Sequence, residues 1–225
     1  MRERGFTWNI ALFGASFVLM LISLYMVFMW VPTEEVMGIV QRIFYFHVPL
    51  AWVAFIAFFV VFVSSILYLR SREDRWDRIA HSSAEIGVVF TTLNLVTGII
   101  WAKPIWGVWW TWDARLTTVL VLWFIYISYL LVRSYAQASQ APRFAAVVGI
   151  IGFVDVPIVF GAIRWWRTVH PAPVIETGGL APPMLYTLMV CLVAFTLLYV
   201  LLMRLRVSLM GAEAQVERLA QELRR

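Results

Sequence analysis

The chain has 225 residues, of which 62% are hydrophobic, and a formal net charge of +5. Soluble domains are about 45–50% apolar, so this composition with a mean hydropathy of +0.83 excludes an ordinary soluble enzyme and predicts an integral membrane protein. The excess of arginine needs no nucleic-acid partner, because the loops of a membrane protein explain it.

A spanning helix takes roughly 20 apolar residues, about 30 Å of hydrocarbon at 1.5 Å per residue. Six segments qualify, about 9–31, 47–69, 84–102, 115–132, 144–163 and 183–203. The expected fold is all-α: a single membrane domain, 1–225, built as a bundle of six transmembrane helices with short amphipathic helices on the outer face. With the N-terminus cytoplasmic, 13 of the 18 basic residues fall on inner segments and 5 on outer ones, so the positive-inside rule predicts both termini inside.

The first segment is too long for a cleavable signal peptide, and no small-residue cleavage site follows it. It ends at Val31-Pro32, a helix stop. The outer loop 34–46 is amphipathic and predicts a partial helix along the membrane surface, with His47 next and Pro49 opening the second helix. Arginines crowd the inner loop 70–78. Glu85 near the inner end of the third helix is expected to be solvated or paired with one of them. Asn94 lies mid-span.

A tryptophan-rich segment, about 101–116, follows on the outside: Trp101, Trp106, Trp109, Trp110 and Trp112, then Asp113 and Arg115. Five of the twelve tryptophans lie within twelve positions, where membrane interfaces ordinarily carry scattered anchors. Trp106, Trp109, Trp110 and Asp113 stand at i, i+3, i+4 and i+7, which predicts one helical face with Trp112 pointing elsewhere. That face suits either a platform for a flat apolar ligand or an interfacial anchor helix. Asp113 sits where the fourth helix needs an N-cap.

The fifth helix holds Asp155 and Pro157. Ionisable groups at membrane depth are costly and are functional candidates by default; a clamp to Asn94 is one expectation for Asp155, and acceptance of a bond near the backbone group freed by Pro157 another. The long third outer segment carries Trp165, Trp166 and His170. Cys191, the single cysteine, excludes an internal disulfide and reads as a packing residue. The last helix leads into a cytoplasmic helical tail, about 204–225, whose Val216, Leu219 and Leu223 form a weak apolar stripe.

Two of the three histidines, His47 and His170, fall on the tryptophan face. Imidazole is a common axial ligand of heme iron, aromatic faces suit a porphyrin, and Arg42, Lys103, Arg115, Arg164 and Arg167 supply cations for propionates. The segment 106–117 resembles the tryptophan-rich "WWD" signature of heme-handling membrane proteins. The segments 44–52 and 164–171 resemble its two histidine motifs, with Pro171 where many members carry Gln. With six spans, these identify the chain as resembling the heme exporter protein C (CcmC) family of cytochrome c maturation.

The resemblance implies a multi-pass protein of the cytoplasmic (inner) membrane that is not an enzyme. It binds heme b, iron protoporphyrin IX, as a transferred ligand at the periplasmic face. It delivers that heme to the periplasmic chaperone CcmE, in a complex with the ATP-binding-cassette pair CcmA and CcmB and the small membrane protein CcmD. It implies His47 and His170 as axial ligands, and Trp106, Trp109, Trp110, Trp112, Asp113 and Arg115, with Trp52, Trp165 and Trp166, as cofactor-binding residues. A transmembrane heme transporter is the alternative, and a b-type redox membrane anchor a further one.

Overall fold

The computed structural model describes residues 2–137, 139–166 and 179–224. His170 and Arg167 therefore lie outside the described residues. Six helical segments are long and apolar enough to cross a membrane, and no strand occurs among the described residues. The chain runs up α1 (Arg2–Tyr25, continued by a π turn to Trp30) and down α2 (Phe44–Ser71). It returns up α3 (Asp74–Trp106), down α4 (Ala114–Tyr135), up α5 (Ala141–Phe153) and α6 (Asp155–Trp165), and down α7 (Pro182–Leu223). His47, the tryptophan segment and Trp165–Trp166 thus share one end of the bundle, called here the tryptophan end.

The loop after α1 is held by the Glu34 carboxylate, which accepts from the backbone N–H groups of Val36 and Met37. In place of a surface helix over 34–46, a short 3-10 turn (Ile39–Ile43) runs straight into α2. The second helix begins five residues before Pro49, because a proline this close to a helix start removes a single intrahelical bond. α2 packs on α3, α5 and α7, whereas α1 rests mainly on α7. The core between α2 and α4 holds Phe58 stacked on Tyr126 at 3.7 Å. Beside it the Ser83 hydroxyl donates to the Ala57 carbonyl at 2.7 Å and shares a 2.8 Å hydrogen bond with Tyr199 of α7.

Three further sequence expectations change. The fifth span breaks at Val154 between α5 and α6: Pro157 has no N–H to offer the Phe153 carbonyl, and its ring crowds that oxygen. Asp155 stands at the break, buried, with Oδ2 lacking a partner among the described residues. Asn94 does not meet Asp155; its amide turns to His47 instead. Glu85 pairs with no arginine of the 70–78 loop. Arg206 of α7 reaches it through two bonds of 2.6 and 2.9 Å, since α3 extends ten residues below the predicted start and carries Glu85 past that loop. Cys191 is buried in an apolar cluster with Val27, Tyr45 and Leu188, as its setting predicts. α7 runs unbroken for 42 residues, about 63 Å at 1.5 Å per residue, so the tail continues the last span as one helix.

Candidate functional site

His47 lies in the first turns of α2, against the upper part of α3. Four residues of α3 surround it: Asn94, Thr97, Gly98 and Trp101. Their offsets of 3, 4 and 7 put them on one helix face. The Asn94 amide donates to the His47 backbone carbonyl at 2.9 Å. Thr97 Oγ1 lies 3.0 Å from His47 Nδ1. The Trp101 ring meets the imidazole edge-on at 5.7 Å and also contacts Phe44 at 6.2 Å. Gly98 has no side chain where a Cβ would stand 3.1 Å from His47 Cε1.

Above this contact opens a cavity of about 40 Å³ lined by His47, Gly98, Trp101, Ile105, Trp106 and Leu116. Ligand pockets that enclose a drug-sized molecule run to about 300–1,000 Å³. The cleft beside His47 is thus too small to enclose such a molecule.

The rim is the tryptophan segment, and it is not the single helix that its spacing predicts. α3 stops at Gly107, whose φ of 75° is left-handed, a conformation open to glycine without a Cβ penalty. Its N–H bonds the Lys103 carbonyl at 3.0 Å, and Lys103 Nζ donates to the Gly107 carbonyl at 2.8 Å. Residues 107–113 are non-helical. Asp113 is the N-cap of α4: Oδ1 accepts from the N–H groups of Arg115 and Leu116 at 2.9 and 3.2 Å, and Oδ2 from the Thr111 hydroxyl at 3.0 Å.

This irregular path turns Trp112 onto Trp110, edge to face at 5.7 Å, in place of the opposed direction a helix would give. Trp109 and Trp112 are 58% and 76% exposed, with the Lys103 ammonium 5.7 Å above the Trp109 ring. Trp106 lines the cleft. Arg115 follows the Asp113 cap in the first turn of α4, half-buried. Trp165 and Trp166 end α6 at the same end and touch each other at 5.9 Å, on a helix that packs against α4. Trp52 stands apart from the cleft: its indole donates to Thr196 of α7 at 3.2 Å.

Three buried N–H donors near this end lack an acceptor among the described residues, Trp101 Nε1, Trp110 Nε1 and Arg42 Nε, as do the hydroxyls of Tyr45 and Thr117. Each such group costs about 1–3 kcal/mol if left unpaired. Arg42 is held by its Nη1, which donates to the Phe28 carbonyl at 2.9 Å. A ligand with a flat apolar body, a metal that takes imidazole and carboxylate acceptors matches these groups.

Residues 4–221 match the model of the family described as heme exporter protein C. The chain belongs to this family. Similar proteins include a heme exporter protein C from Bradyrhizobium diazoefficiens, 38% identical over 84% of this chain and 73% of that protein. One from Haemophilus influenzae is 34% identical over 86% of this chain and 82% of its own length. A ccmC-like mitochondrial protein of cytochrome c biosynthesis from Marchantia polymorpha is 33% identical over 78% and 75% respectively. Membership of the heme exporter protein C family places this multi-pass membrane chain in heme handling for cytochrome c biogenesis.

Within that family assignment, the residues that sequence reasoning misses are Thr97 and Gly98. Both are ordinary in membrane helices, where small residues line helix contacts. Asn94 is visible as a buried polar residue, but its partner is not. The available signal is the stripe Asn94, Thr97, Gly98, Trp101, which ends five residues before Trp106, the first residue of the predicted platform.

Proposed function

We propose that this chain holds heme b as cargo at the tryptophan end, on the periplasmic face of the cytoplasmic membrane, and presents it to the heme chaperone CcmE. CcmA, CcmB and CcmD form the complex in which it works. The observation that carries this reading is His47, set in the wall of a tryptophan-rimmed cleft too small to enclose a porphyrin. Heme lies across the mouth, with His47 and His170 on the iron. Trp109 and Trp112 offer their exposed faces to the porphyrin and to the chaperone. The buried donors Trp101 Nε1, Trp110 Nε1 and Arg42 Nε suit the propionates, with Arg115 alongside. Asp113 caps α4 and fixes the rim. The periplasmic placement rests on the bias of 13 basic residues against 5.

Such an open seat suits transfer. Iron protoporphyrin supplies the electrophilic vinyl edge and the metal; the residues here bind and orient it. Two other readings gain less support. A heme conduit through the helices needs a polar path, yet Asn94 is engaged with His47 and Asp155 sits in another helix contact. A b-type redox anchor needs ligands at both ends, and His81 at the other end is instead within 3.5 Å of both Glu85 and Arg133.

The test is a transfer assay with purified, heme-loaded protein and the apo-chaperone. Trp109→Ala with Trp112→Ala is expected to leave the histidine-ligated heme spectrum in place. Loss of a central interface indole costs roughly 2 kcal/mol, so chaperone capture should weaken about 30-fold. Capture at the unmodified rate removes the platform role; absence of heme from the unmodified protein removes the whole reading.

A further inference from the structure

We infer that Thr97 and Asn94 of α3 are positioning residues that set the tautomer and tilt of the His47 imidazole, with the proton on Nδ1 and the lone pair on Nε2, the atom that meets iron. The inference rests on the heme reading above.

The hydrogen bonds of Thr97 favour one tautomer. A threonine hydroxyl has one proton and two acceptor lone pairs. Thr97 Oγ1 lies 2.9 Å from the Leu93 carbonyl and 3.0 Å from the Asn94 carbonyl. Both are acceptors only, and a helical threonine commonly donates its hydroxyl proton back to the i−4 or i−3 carbonyl, which is the direction we infer. Toward His47 Nδ1, at 3.0 Å, Oγ1 can then only accept. Nδ1 therefore carries hydrogen, and in the neutral ring the lone pair falls on Nε2.

Asn94 ties the backbone beside the ring to α3. Its amide nitrogen donates to the His47 carbonyl at 2.9 Å, which ties the α2 backbone to α3 at the ligand itself. The same nitrogen stands 3.3 Å from Nδ1 and 3.4 Å from Nε2. At near-equal distances the amide favours neither ring nitrogen. Trp101 bounds the ring on a further side, and the bare Cα of Gly98 admits its Cε1 edge. Asn94, Gly98 and the ring thus form a seat with one rotational setting.

An Nδ1–H bond to a fixed acceptor makes an imidazole ligand more basic and pre-orients it; removing such a partner typically costs about 10–100-fold in metal affinity. In the full chain in nanodiscs, hemin titration of Thr97→Val is expected to show weaker binding of that order. The bound heme should also shift to a more positive potential, because a less basic imidazole favours the ferrous state. Thr97→Ser, which keeps the acceptor, should restore both. Thr97→Ala replaces the valine variant should that one fail to fold. Affinity and potential unchanged in the valine and alanine variants, while His47→Ala weakens heme binding and alters its spectrum, overturn the positioning role and leave the heme reading intact. A wild-type spectrum in His47→Ala overturns both. The heme-free protein gives a separate readout: with 15N-labelled histidine, the His47 signal, assigned by its loss in His47→Ala, should show a protonated Nδ1. A protonated Nε2 with a bare Nδ1 overturns the tautomer assignment whatever heme does.

Discussion

Replacing His47 and His170 together by alanine is expected to abolish heme retention by the purified protein, while the helical content stays as it was. The reason is local. His47 is half-buried at the end of the bundle, outside the packed core around Phe58 and Tyr126, so truncating it removes a ligand and little packing. Each single replacement should leave a weaker, five-coordinate form with an altered absorption spectrum. On the proposed ligation, the doubly substituted protein loses both axial nitrogens, and the tryptophan rim is too open to hold a porphyrin by contact alone. Absorption spectra and heme content per polypeptide check this. Wild-type heme content and spectrum in the double variant contradict the ligand assignment.

The second large effect is expected at Gly98. A Cβ there would stand 3.1 Å from His47 Cε1 and 3.7 Å from Nδ1. Alanine forces the ring back by a few tenths of an ångström, against Thr97 and Asn94, which hold it. Helix propensity moves the other way, since alanine is favoured over glycine by about 1 kcal/mol. Gly98→Ala should therefore keep its thermal stability yet bind hemin less tightly. Gly98→Val adds two methyl groups into the same contact. Overpacking of this kind costs about 1–3 kcal/mol, and the displaced imidazole should lower hemin affinity at least as far as removing its Thr97 partner, about 10–100-fold. Hemin titration alongside a thermal melt separates the two effects. Unchanged hemin affinity in Gly98→Val contradicts the seat described for His47.

Much of the fold is legible in the sequence because it depends on length and apolarity alone. Six runs of apolar residues give six spans, and Asp113 is recognisable as a cap from its place before the fourth run. The tryptophan rim is misread for a physical reason. Trp106, Trp109, Trp110 and Asp113 keep helical spacing, but Gly107 and Asp113 are also residues that stop and start helices. Periodicity cannot weigh those signals against each other, and the backbone follows the stop. Partners across the bundle are illegible for a different reason. Glu85 meets Arg206, 121 residues away, and Asn94 meets His47, 47 residues away. Which polar residues pair depends on which helices are neighbours, and α2 against α3 is a fact of packing. Thr97 and Gly98 carry no mark of their role until His47 is seen beside them.

The central claim is that heme iron sits on His47 at the mouth of the tryptophan-rimmed cleft. The most direct measurement is a cryo-electron microscopy map of the heme-loaded full chain in nanodiscs. Iron at bonding distance from His47 Nε2, with Nδ1 still on Thr97 and the porphyrin against Trp109 and Trp112, is the predicted result. Iron seated elsewhere, with the cleft empty and His47 turned away from it, would contradict it.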